Sequence, residues 1–203
     1  MVTLTPVTPG CTLGHRAVRS YLIQGGMSRD SCTMKLSPQM QRVVLEQRLG
    51  FVATVTADGR PNLSPKGTTM LWDEERLMFA DIASPRTIEN LATNPHVEVN
   101  VIDPILRKGF RFKGTAAVYT SGEMFDRGLQ ILQGRGSAAT RDRVRSIVVI
   151  EVTDAAALVS PAYDDGTSEE TIVKRWLQHY ENLHRRQPGQ RSTQPNTLTD
   201  QIE

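Results

Sequence analysis

The run HVEVNVI at residues 96–102 alternates apolar and polar residues without a break, and GFRFKGTAAVY at 109–119 does nearly the same. Successive side chains of a strand point to opposite faces, so runs of this kind require strands with one covered face and one wet face. An all-helical domain is thereby excluded. FVATVT at 51–56 reads as a further strand, and the ADGRP that follows supplies Asp58-Gly59, the turn of a hairpin. A second strand is predicted over 62–71, an acidic turn over 73–75, a third strand in RLMFAD at 76–81 and a last one in SIVVIEV at 146–152. Six strands, mostly antiparallel, with a few helices between them predict an α+β domain built on a small six-stranded antiparallel barrel.

The helices carry their own signals. Ser37-Pro38 places a cap residue before a proline at the first helical position, and Met40, Val43 and Val44 mark one face before Gly50. A short helix is predicted over about 85–93, stopped by Asn94-Pro95, and another over about 121–133. Thr167 and Glu170 have the spacing of a capping box for a closing helix, whose face is Ile172, Val173, Trp176, Leu177 and Tyr180.

These elements fill residues 36–185. Before them, residues 1–35 mix Thr, Pro, Gly and Ser without a sustained period and read as a disordered leader, in which Met1, Met27 and Met34 are each candidate starts. After them, QPGQRSTQPNTLTDQIE within residues 186–203 is too apolar-poor to repay ordering entropy, so a disordered tail is expected. The formal charge of +2 is too mild to point to nucleic acid or a membrane surface, and no aromatic residues interleave the basic clusters at 141–145 and 185–186. No apolar run approaches the ~18–20 residues that a membrane span needs. Cys11 and Cys32 are the only cysteines and no Cys/His cluster accompanies them, so no metal site is expected and a cytoplasmic setting is the default.

Chemistry concentrates in ADIASPRTIENLATNP at 80–95. The first turn of a helix carries partial positive charge, which favours acidic side chains, yet Arg86 follows Ser84-Pro85 there. Either Ser84 merely caps and Arg86 is solvated, or Ser84, Arg86 and Thr87 form a cradle for a phosphate monoester, with a fork, hydroxyls and helix N–H groups.

Taken together, GFVATVTADGRPNLSPKGTTMLWDEERLMFADIASPRTIENLATNPHVEVNVID and GFRFKGTAAVY resemble the pyridoxamine 5′-phosphate oxidase-like superfamily, over about residues 37–152. The resemblance implies a dimeric, six-stranded split β-barrel that binds flavin mononucleotide (FMN) and acts as an oxidoreductase on a small molecule. It implies flavin contacts along Asn62, Leu63, Ser64, Pro65, Lys66 and Gly67, and phosphate and ribityl contacts from Ala80, Asp81, Ser84, Arg86 and Thr87. A partner subunit of the homodimer would add Arg107, Lys108 and Gly109, with Arg111 on the basic strand beside them. Lys66 reads from the residues alone either as charge for a dianion or flavin ring, or as an outward solvated lysine. Gly67 would let backbone approach a flat ligand.

The sequence departs from true pyridoxamine phosphate oxidases in Pro61-Asn62, where those carry a basic residue, and in SPRT, where they carry SRK. Vitamin B6 oxidation is therefore not expected, and no side chain stands out as catalytic acid or base. Two other readings stay open: a deazaflavin-dependent reductase, and a non-catalytic flavin- or haem-binding storage or sensor protein.

Overall fold

A computed structural model describes residues 33–136 and 141–185; the start-codon candidates Met1 and Met27, most of the leader and the C-terminal tail lie outside the described residues. Four helices and seven strands follow in the order α1 (Pro38–Gln47), β1 (Gly50–Val55), β2 (Pro61–Lys66), β3 (Met70–Leu71), β4 (Arg76–Asp81), α2 (Pro85–Thr93), β5 (His96–Asp103), β6 (Lys108–Tyr119), α3 (Glu123–Gly134), β7 (Ser146–Val159) and α4 (Glu169–Arg185), with a 3-10 turn at Pro161–Tyr163. All pairings are antiparallel, and the strand order is β2-β1-β5-β6-β7-β4-β3.

The count of six strands needs correction. The run predicted as one strand over 62–71 breaks at residues 67–69, where the N–H and hydroxyl of Thr69 both donate to the Lys66 carbonyl. A local turn takes the hydrogen bonds that a ladder would have used. Its geometric effect is large. β2 and β3 are the two edges of the sheet, yet three residues join them. Seven flat strands span about 29 Å at ~4.8 Å per gap, whereas four peptide steps reach at most about 14 Å. The sheet must curl, and a split barrel is the result.

Curling gives β4 and the first half of β7 two covered faces. Leu77, Phe79, Val148 and Ile150 join Val52, Val99 and Phe112 in one buried cluster, with Val44 of α1 and Leu91 of α2. Met78, Ala80, Ile147 and Val149 join Trp72 and the α3 residues Phe125, Leu129 and Leu132 in a second. Apolar residues at every position of residues 147–150 follow from this double burial. Past the break in register at Lys113/Gly114, β7 continues to Val159, seven residues beyond the predicted end, by pairing with the first half of β6.

Ser37 caps α1 as expected, its Oγ accepting from the Met40 N–H. The closing helix starts differently from the predicted box. Ser168 caps it by accepting from the Thr171 N–H, while the Thr167 hydroxyl donates to Asp165. Residues 33–35, placed in the leader by sequence, are held here: the Met34 N–H donates to the Val152 carbonyl, and Lys35 pairs with Glu74.

Candidate ligand site at the head of helix α2

β2 is an edge strand with alternating exposure: Pro61, Leu63 and Pro65 face outward, while Asn62, Ser64 and Lys66 turn toward α2. The last of these settles the orientation left open by sequence. Lys66 is 4% exposed, so it is no solvated surface lysine. Its Nζ donates to Ser64 Oγ at 2.6 Å, Ser84 Oγ at 2.5 Å and Thr87 Oγ1 at 3.4 Å. An ammonium has three protons, and all three are spent on neutral hydroxyls. Each of those hydroxyls keeps its own proton for a further acceptor. Burial pulls the Lys66 pKa below the ordinary lysine value, and the negative charge of nearby Asp81 pushes it back up. No carboxylate among the described residues closes an ion pair with Lys66.

The start of α2 meets Lys66 through Ser84 and Thr87. Ser84 does not cap with its side chain, because its Oγ is taken by Lys66. The loop is held by Asp81, whose Oδ1 accepts from the Ser84 N–H at 2.8 Å, and by Thr68, whose Oγ1 bridges the N–H and carbonyl of Ala80. Asp81 is thus committed to loop geometry. Thr87 is buried, and Arg86 beside it is exposed and pairs with no described carboxylate.

A cavity of about 300 Å³ opens here, lined by Asn62, Leu63, Ser64, Ser84, Arg86 and Thr87. A second, of about 410 Å³, shares Asn62 and Arg86 with it and continues to Arg60 and Asn90. Gly67 borders the Lys66 end of β2. A Cβ there would meet nothing within 4 Å, so neither packing nor a positive φ demands glycine at this place. That leaves room for a ligand to lie against the backbone. Thr54 and Asn90 were not legible as site residues; the amides of Asn62 and Asn90 both donate to Thr54 Oγ1 and tie β1, β2 and α2 together.

The four basic-strand residues lie elsewhere in the single chain, and none lines these cavities. The Arg107 guanidinium stacks 4.2 Å from the Trp176 ring, and Lys108 bonds Glu169 at 2.6 Å with the Tyr163 ring 4.2 Å away. A Cβ on Gly109 would strike the Val101 carbonyl oxygen at 2.2 Å, so close β5–β6 packing requires that glycine. Arg111 points outward beside Glu98. Another cavity of about 350 Å³ lies between α1 and the far ends of β6 and β7, rimmed by Arg42, Glu46, Lys108 and Glu169. Its cations are already matched by carboxylates.

An antiparallel, curled seven-stranded sheet with a buried cation under the N-terminus of its second helix defines the class of fold, a split barrel. Residues 36–158 match the family model described as pyridoxamine 5′-phosphate oxidase, and the chain belongs to that family. HupZ of Group A Streptococcus is similar at 29% identity and a TM-score of 0.55, covering 62% of this chain and 95% of that one. An uncharacterized protein of Methanocaldococcus jannaschii is 29% identical over 124 residues, 60% of this chain and 79% of its own length. A solved Lactobacillus delbrueckii protein at 20% identity and a TM-score of 0.51, covering 60% of this chain and 93% of that one, shares the fold. The family match ends before α4. No helix among the described residues is long and apolar enough to cross a membrane, and no three of their His, Cys, Asp or Glu side chains group as metal ligands.

Proposed function

We propose that this chain binds FMN through its phosphate at the head of α2 and serves as an FMN-dependent oxidoreductase on a small molecule. One observation carries the reading. Lys66 is a buried cation whose partners are three neutral hydroxyls, all converging on the positive end of a helix. Burying such a charge without a counter-ion is unfavourable, and a phosphate dianion supplies the missing charge. Ser64, Ser84 and Thr87 would donate to its oxygens, and Arg86 would close the open side with a bidentate fork. The space at Gly67 and the adjoining cavity suit a flat ring that runs on from the phosphate.

Bound there, the isoalloxazine would accept and pass on hydride or electrons. The chain's own part is to hold the phosphate, fix the ring against β2 and set the local charge. The absence of the SRK triplet argues against vitamin B6 oxidation as its activity.

The visible spectrum of the purified full chain tests the cofactor. Flavin bands support the reading, whereas a Soret band, or a deazaflavin band that develops on addition of that cofactor, overturns it. Titration separates the phosphate from the ring. Charge-assisted hydrogen bonds contribute roughly 1.5–3 kcal/mol, so Arg86→Ala should weaken FMN by about one to two decades. Riboflavin, which lacks the phosphate, should change by less than about twofold. Equal losses for both flavins would assign Arg86 to folding rather than to phosphate.

A further inference from the structure

The cluster of hydroxyls around Lys66 stands in the middle of its groove, not at one end. Alternate residues of a strand lie about 6.8 Å apart on one side, so Asn62, Ser64 and Lys66 step along β2 toward Gly67. Open space at Gly67 lies past one end of this row. Past the other end lies the cavity of about 410 Å³, walled by Thr56, Asp58 and Arg60 of the β1–β2 hairpin and by Arg86, Glu89 and Asn90 of α2. A ring laid against Gly67 does not reach this cavity, which is on the far side of the phosphate. Small-ligand pockets run from ~300 to 1,000 Å³, so the space is wide enough for a second group.

The polar groups of that cavity indicate what the second group is. Arg86 lines both cavities, and its guanidinium has five N–H donors, more than the edge of one phosphate can take. Arg60 faces the same space, held by an exposed pair with Asp58 at 2.9 Å, a contact that contributes little and is readily exchanged. Two guanidinium groups where the cavities join suit a second phosphate linked to the first. Beyond them the charge changes sign. Asp58 already accepts from Thr56 and Arg60, while Glu89 is exposed and pairs with no described cation. Carboxylates there repel an acidic group and accept from sugar hydroxyls, as an acidic residue does for a bound ribose.

We propose that the site takes a pyrophosphate-bridged flavin dinucleotide, flavin adenine dinucleotide (FAD), whose adenosine half lies between the hairpin tip and α2. This rests on the phosphate reading given above and extends it, with FMN as the fragment that occupies the hydroxyl cluster alone. The first phosphate keeps Ser64, Lys66, Ser84 and Thr87. The second meets Arg86 and Arg60, and Glu89 accepts from a ribose hydroxyl. The amides of Asn62 and Asn90, both fixed on Thr54 Oγ1, form a rigid wall along which the second half runs. An arm rich in carboxylates would instead meet Asp58 and Glu89 with like charge.

Calorimetric titration of the flavin-free full chain with FMN and with FAD tests this. FAD should bind within about tenfold of FMN. Arg60→Ala should weaken FAD by about five- to tenfold and FMN by less than about twofold. Glu89→Ala, at an exposed helix position, should show the same contrast. FMN that binds while FAD is weaker by more than about tenfold overturns the dinucleotide and leaves the phosphate reading in place. FAD affinity that is unchanged in both variants, or that falls by the same factor as FMN, overturns it too. So does FAD that tightens in Glu89→Ala, because the carboxylate would then repel the second half. A wild type that binds neither flavin overturns the phosphate reading and the dinucleotide with it.

Discussion

Lys66→Met should weaken FMN binding by about two to three decades, which corresponds to roughly 3–4 kcal/mol, while leaving the melting temperature of the flavin-free protein unchanged or higher. The two halves of this result have one cause. In the empty protein the ammonium is desolvated and its burial outweighs the field of nearby Asp81, with which it forms no ion pair, so an apolar chain of similar length relieves an unfavourable burial. In the loaded protein that same charge faces the phosphate. A lysine with a purely structural role would behave in the opposite way, lowering the melting temperature and harming FMN and riboflavin alike. The pH profile adds a second reading of the same group. Burial lowers the Lys66 pKa from 10.5, and phosphate binds the charged form. FMN affinity relative to riboflavin should therefore be full below the lowered pKa and fall as pH rises through it. In the flavin-free protein the unfolded chain holds the Lys66 proton to higher pH than the folded one does. Its contribution to stability should accordingly rise with pH across that window. Both trends should vanish in Lys66→Met.

Gly109→Ala and Gly67→Ala should give opposite outcomes, although the resemblance assigns both glycines to ligand contact. At Gly109 the new methyl meets the Val101 carbonyl oxygen at 2.2 Å and Ile102 Cα at 2.7 Å, both backbone atoms that cannot step aside. Overpacking of this kind costs about 1–3 kcal/mol or more, and a loss of roughly ten degrees in melting temperature is expected. At Gly67 the methyl enters open space and the backbone needs no positive φ. Its melting temperature should hold, or rise slightly as the unfolded chain loses freedom. Thermal melts of the two flavin-free variants decide the matter: a stable Gly109→Ala would show that β5 and β6 can part there without cost.

Much of this architecture was legible in local chemistry. Alternation at 96–102, the Asp58-Gly59 turn and the Ser37-Pro38 start each act over a few residues, and each appears in the fold where it was expected. What was not legible depends on partners distant in the chain. Ser84 looks like a cap, but Lys66, eighteen residues earlier, takes its oxygen. Thr167 and Glu170 have the right spacing, yet Ser168 is the residue that reaches the open N–H. A period-2 reading could not orient Lys66 correctly, because Leu63 and Pro65 form the apolar face of NLSPKG and would be set inward, whereas in this edge strand they face out and Lys66 is buried. The long end of β7 was hidden for a related reason: DAAALV at 154–159 has weak strand propensity and is held by its pairing with β6.

The three-residue link between β2 and β3 has a kinetic meaning as well as a geometric one. An open sheet frays from its outermost strands, and amide protons there exchange first. Here both outermost strands hang from a single short clasp, and Lys66 is the last residue before it. A molecule gripped at Ser64 and Lys66 therefore fastens the two loose ends of the sheet together. Its arrival would slow hydrogen exchange at Met70 and Leu71 as well as along β2, because the barrel then has no end from which to unzip.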